Sequence, residues 1–165
     1  MTHRELAALR LENLGIGGFD GKEPKAEAGH ECVVGRLGAV QAQDYPGTLW
    51  ALGLRLPGSS LADVERAVEE ARIVRTWPFR GTLHFVAAAD LRWMVKLLTP
   101  RVIAGTKRRQ ADLELDAVQF ARSQETMRRL LSGGRLLGRE ALLEAIEADG
   151  VSTAGGRGYH ILFRA

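Results

Sequence analysis

Along most of this chain apolar residues recur three and four positions apart, the spacing of one helical face. Thr2 followed by Glu5 is a capping-box pattern, and Leu6, Leu9 and Leu14 continue it as the stripe of a first helix that stops at Gly15. Val33, Leu37 and Val40 form a second stripe, which Asp44, Tyr45, Pro46 and Gly47 cannot extend. The spacing therefore predicts that Gln41 and Gln43 lie at the C-terminal edge of a helix. Residues 48–56, TLWALGLRL, read as a buried helix with Trp50 in the core, closed by Pro57 and Gly58. Ser60 with Asp63 repeats the capping box, and Leu61, Val64 and Val68 give the next helix its apolar face as far as about Ala71.

The period then changes. Residues 73–79, IVRTWPF, and 82–86, TLHFV, are short, rich in β-branched and aromatic side chains, and joined through Arg80 and Gly81. They predict a β-hairpin, with Pro78 confining its strand to an edge. Three helices followed by a hairpin is the order of a winged helix, a variant of the helix-turn-helix used on DNA. The fold class expected is mainly α with a small β-hairpin.

Beyond the hairpin the helical spacing returns. Asp90 is positioned to cap a helix carrying Leu91, Met94, Val95 and Leu98, and Thr99 with Pro100 reads as the opening of another. Lys107, Arg108 and Arg109 cluster in that helix ahead of Asp112, Glu114 and Asp116. Residues 117–131 predict a further helix ended by Gly133 and Gly134. Leu136 and Leu137 then form a short extended lead into a helix over residues 139–148, and after Gly150 the segment YHILFRA resembles the second helix of a helix-turn-helix pair. The expected organisation is a first winged-helix module over 1–89, connecting helices over 90–133, and a partial second module over 134–165, as the N-terminal part of a longer architecture or a shortened member of one.

Composition narrows the chemistry. At 165 residues the chain suits one domain or two small ones, and a 45% hydrophobic content suffices for a packed core. The net charge of +3 permits a nucleic-acid partner without demanding one. The single cysteine, Cys32, excludes an internal disulfide and cysteine-pair metal sites, and its spacing places it on the apolar side of its helix as a small filler. Residues 15–29, GIGGFDGKEPKAEAG, read as a long loop whose lysines either reach phosphates or are simply solvated. With no apolar run of membrane-spanning length and no signal peptide, the expectation is a cytoplasmic protein. There is no P-loop, no dinucleotide glycine fingerprint and no HExxH, and His3, His30, His84 and His160 are scattered, so neither a metal nor a cofactor is expected.

What remains is a group of polar and basic residues beside the expected hairpin: Gln41, Gln43, Asp44, Arg75, Arg80, Thr82 and His84. On spacing alone, two readings of the amides stay open. They bond the last carbonyls of their own helix or meet water, or they form part of a site.

Three segments make the chain recognisable: VGRLGAVQAQD, RTWPFRGTLHFV and DLRWMVKLLTPR. Together they resemble the winged-helix DNA-binding family that includes the AlkZ-like DNA glycosylases, over nearly the whole chain from Arg10 onward. The resemblance implies tandem winged-helix modules more than twice this length around a DNA channel, excising alkylated bases, including those in interstrand crosslinks. It implies catalysis by the glutamine-x-glutamine motif, here Gln41 and Gln43. It matches Thr82 and His84 to a TxH pattern that lines the site or holds its shape. Asp44 is a possible carboxylate base or a local backbone partner. Arg75, Arg80, Lys107, Arg108 and Arg109 are candidate phosphate contacts, or else charges balanced within the fold or solvated. The implied partner is double-stranded DNA, alkylated or crosslinked, near the nucleoid. Two rivals stand beside this reading: a non-catalytic winged-helix regulator, and an interaction module that docks a protein. Falling affinity with added salt separates those two, and base excision separates the glycosylase from both.

Overall fold

The structure, a computed structural model, describes residues 1–17 and 29–165. Most of the loop expected over 15–29 lies outside the described residues. By compactness the chain divides into two units, Met1–Thr99 and Pro100–Ala165.

In the first unit, helix α1 (His3–Asn13) starts at the expected capping box, with the Thr2 hydroxyl accepting from Glu5 N and the Glu5 carboxylate from Thr2 N. The apolar stripe expected on α1 buries no residue, and Leu9 and Leu14 are exposed. The end of α1 is instead tied down by polar contacts, Arg55 Nε donating to the Leu14 carbonyl at 2.8 Å and Gly17 N to the Leu54 carbonyl.

Helix α2 (Gly29–Leu37) ends earlier than expected, because Gly38 adopts φ 77°, a left-handed conformation that closes a helix. Val40 is therefore not helical. It belongs to strand β1 (Val40–Gln41), so Gln41 sits in a sheet rather than at a helix edge. Cys32 is exposed, since Val33 and Val34 take the core-facing side of α2.

Helix α3 (Tyr45–Gly53) starts at Tyr45, capped by Asp44, rather than at Thr48. Counted from there, Thr48, Leu49 and Leu52 face the core, and Trp50 lies on the outer flank, 72% exposed, correcting its expected burial. Trp50 lines a groove toward helix α4 (Leu61–Glu69) with Tyr45, Leu54 and Leu61. Helix α4 carries the second expected capping box, Ser60 with Asp63, and ends short of Ala71, whose φ is 53°.

The hairpin is present as β2 (Ile73–Phe79) and β3 (Thr82–Ala87), but the sheet has a third strand. The order is β1-β3-β2, all antiparallel, so β2 is an edge as Pro78 requires. One extra residue between Thr76 and Phe79 makes a bulge where Pro78 has no N–H to pair. Val33, Val34, Ala42, Leu52, Val64, Ile73 and Phe85 form a single core beneath the sheet and helices.

Helix α5 (Ala88–Asp112) runs unbroken through Pro100, where two helices were expected. An interior proline leaves the Lys96 carbonyl without its helical donor and costs roughly 3 kcal/mol. The flanking Leu, Arg and Met residues are strong helix formers that propagate across it.

In the second unit, helices α6 (Ala117–Leu131) and α7 (Arg139–Ala148) have the expected bounds, α6 opening on an Asp116–Gln119 capping box. Leu136 and Leu137 lie between them outside helix and strand, and both are exposed. Helix α8 (Arg157–Arg164) turns Ile161 and Phe163 inward, and Leu115, Phe120, Met127, Ile146, Val151 and Ile161 form this unit's core. Among the described residues no helix is long and apolar enough to cross a membrane.

Candidate active site at the glutamine pair

Strand β1 is only two residues long and exists because β3 pairs with it. Val40 lies opposite Phe85 and Gln41 opposite His84. Directly opposed residues share a face, so the alternation of β1 settles the direction of each side chain. Val40 joins Phe85, fully buried, on the core side. Gln41 joins His84 and, one strand further, Thr76, on the other side.

Gln43 lies two residues beyond Gln41, and both are exposed. Their carboxamides meet, Gln41 Nε2 donating to Gln43 Oε1 at 2.7 Å. That contact leaves Gln41 Oε1 and the second lone pair of Gln43 Oε1 available. Together with Asp44, Gly47, Thr48 and Ala51 the pair lines an open depression of about 430 Å³.

The backbone beneath the pair is held from two directions. Arg75 donates to the Ala42 carbonyl through Nε at 2.9 Å and Nη2 at 2.6 Å, with the Gln43 carbonyl 3.4 Å from Nη2. Its guanidinium lies over the Tyr45 ring, 5.4 Å from the centroid, and Tyr45 packs on Phe85. On the far side the Thr48 hydroxyl sits 2.5 Å from the Asp44 carbonyl and 3.0 Å from that of Gln41.

Asp44 is the N-cap of α3, one carboxylate oxygen accepting from Gly47 N at 3.3 Å. Glycine at 47 makes this possible, because a Cβ there would run into the Asp44 carboxylate. Thr82 donates to the Phe79 carbonyl at 3.0 Å and so closes the hairpin turn. His84 Nδ1 contacts the Thr82 carbonyl at 2.9 Å, and its ring meets Phe79 edge-on at 5.0 Å. A carbonyl only accepts, so Nδ1 carries the proton in this contact and Nε2 is the nitrogen left for other partners.

Arg80 is exposed at the tip of the hairpin. Lys107, Arg108 and Arg109 are exposed in the closing turns of α5, within the second unit. No group of three or more metal-ligating side chains occurs among the described residues.

Sequence reasoning missed Tyr45 and Thr48. Thr48 had a signal: a threonine four residues after a helix cap commonly bonds back to the cap carbonyl. Tyr45 had none, because its partners Arg75 and Phe85 come from another part of the chain.

Comparison with known proteins adds three observations. Residues 34–165 match the model of a family described as DNA glycosylase AlkZ-like. An interstrand DNA cross-link repair glycosylase of Streptomyces sahachiroi is 34% identical over 68 residues, covering 41% of this chain and 18% of that protein. The solved structure of the Streptomyces sahachiroi DNA glycosylase AlkZ matches 99% of this chain and 44% of its own with a TM-score of 0.73. Its sequence identity is 22%, so that likeness speaks for the fold. The chain spans less than half the length of either relative.

Proposed function

The chain belongs to the AlkZ-like DNA glycosylase family, and from that premise we propose that Gln41 and Gln43 hydrolyse the N-glycosidic bond of alkylated, cationic purines in duplex DNA. The carrying observation is that both carboxamides are exposed, joined at 2.7 Å and set over an open depression.

An amide is a poor base, and this reaction asks little of one. A purine alkylated at N7 or N3 is already a cation, so the electron pair of the breaking C1′–N bond returns to it and quenches its charge. Acid assistance is then unnecessary. A water must be held against C1′ while an oxocarbenium-like sugar develops, and amide oxygens do both by hydrogen bonding and dipole orientation. Gln41 Oε1 and the remaining lone pair of Gln43 Oε1 accept from that water. Its oxygen bonds C1′, its proton passes to solvent, and the neutral base leaves. Normal purines lack the charged leaving group and are spared.

Asp44, Thr82 and His84 line this site or keep its shape. Arg80, Lys107, Arg108 and Arg109 meet phosphates, which position DNA without reading it. In this reading α2, α3 and α4 with the β2–β3 hairpin act as a winged helix, α7 and α8 begin a second, and the protein works on chromosomal DNA in the cytoplasm. The cross-link repair relative supports extending the substrate range to unhooking interstrand crosslinks.

The test is release of free 7-methylguanine from alkylated duplex DNA. The protein is expected to release it, and Gln41→Ala combined with Gln43→Ala to lower the rate by about a hundredfold or more. Undiminished release by the double variant would overturn the assignment.

A further inference from the structure

We propose that Arg75 is a positioning residue for the glutamine pair, acting through the peptide between the two glutamines rather than on DNA. The catalytic consequence rests on the glycosidic reading above; the structural one does not.

Where β1 ends, the chain leaves the sheet but is not yet helical. Ala42 N still donates to the Leu83 carbonyl at 2.8 Å, whereas beyond Gln41 the strand is over, and of the carbonyls of residues 42 to 44 only that of Asp44 takes a backbone donor, Thr48 N. Ala42 is fully buried, and a buried carbonyl left unpaired is costly. Arg75 meets it with two donors of one fork, and the same Nη2 lies at the edge of reach of the Gln43 carbonyl. The Thr48 hydroxyl stands against the Gln41 and Asp44 carbonyls. Two side chains thus hold four consecutive carbonyls.

Fixing these carbonyls fixes the backbone torsions from which the Gln41 and Gln43 side chains depart, and hence their 2.7 Å contact. Tyr45 under the guanidinium holds the plane of the fork. A lysine, with a point charge on a flexible stem, reproduces neither the fork nor the stacking. An arginine that served DNA would turn these donors outward. Arg75 is exposed as a residue, yet its Nε and Nη2 are committed to the carbonyl of buried Ala42.

The test compares Arg75→Lys with the unsubstituted protein in three measurements. Single-turnover excision at saturating protein is expected to fall about a hundredfold, as for a small misplacement of reacting groups. Affinity for undamaged duplex DNA and its salt dependence are expected to stay within twofold of the original. The side-chain amide NMR signals of Gln41 and Gln43 are expected to move to the positions of freely solvated amides. Weaker DNA binding, a salt slope reduced by about one, and an unchanged saturated rate would make Arg75 a phosphate contact and overturn the proposal. Unmoved amide signals would also overturn it. If the unsubstituted protein releases no alkylated base, the glycosylase reading fails, and the amide signals still decide the role of Arg75. Should Arg75→Lys not fold, Thr48→Val releases the other two carbonyls of the segment and is expected to give the same signature.

Discussion

At the scale of single residues, the hairpin tip shows a conflict between conformation and side chain. Arg80 and Gly81 both have positive φ, 49° and 75°, the pattern of a two-residue turn in which asparagine and glycine are favoured. Arginine there carries strain on the order of 1 kcal/mol, and its exposed side chain is the one we assign to phosphate. Arg80→Asn is therefore expected to raise the melting temperature while weakening binding to duplex DNA. If binding and its salt dependence are unchanged, Arg80 is not a phosphate contact. Arg75, five residues before Arg80 on the same hairpin, is used in the opposite way, with Nε and Nη2 turned onto the Ala42 carbonyl. Two arginines that look alike in a sequence are thus separated by where their guanidinium groups find partners.

At the scale of elements, the step that makes the site is the early end of α2. Gly38 takes φ 77° with nothing within 4 Å of where a Cβ would stand, so the position selects glycine by backbone conformation alone. Gly38→Ala is expected to lower stability by about 1 kcal/mol, and Gly38→Asn by less, because asparagine tolerates the left-handed region. Thermal unfolding of the two variants checks this, and an alanine variant as stable as the original would show that the turn relaxes. The glycine releases the chain into β1, and pairing of β1 with β3 sets Gln41 beside His84. Helix α3 then follows from local chemistry, with Asp44 as cap and Pro46 in its first turn.

At the scale of the whole molecule, acidic and basic residues balance within Met1–Thr99, so the net charge of +3 comes from Pro100–Ala165, where Lys107, Arg108 and Arg109 lie. Each unit also buries a histidine. Burial, and then the charge of Arg72, lowers the pKa of His30 below the ordinary 6.5, and its Nε2 meets no hydrogen-bond partner among the described residues. Burial, and then Arg109, lowers that of His160 from the same value. In both cases the unfolded chain takes up a proton before the folded one. The resulting stability is present above pH 6.5 and is lost as pH falls through the folded values. The melting temperature is expected to decline on acidification below that point. His30→Gln together with His160→Gln should flatten the decline, and an equally steep decline in the double variant would locate its cause elsewhere. Asp63, Glu147 and Asp149, all lowered chiefly by hydrogen bonds from Ser60, Thr153 and Thr126, give a second loss at more acid pH.

Features governed by neighbours a few positions apart were legible in the sequence: the capping boxes at Thr2 and Ser60, the bounds of α6 and α7, and the hairpin with its edge-strand proline. Caps, turns and short-range periodicity draw their energy from side chains and peptides already adjacent along the chain. The motif segments also carried the family. Tertiary structure alone decided that Val40 and Gln41 would be a strand, that Trp50 would face outward, and that Arg75 and Thr48 would hold the peptides around Ala42. A two-residue strand has no pattern of its own to read. It forms because residues more than forty positions later offer their hydrogen bonds, and that pairing gives the two carboxamides their geometry.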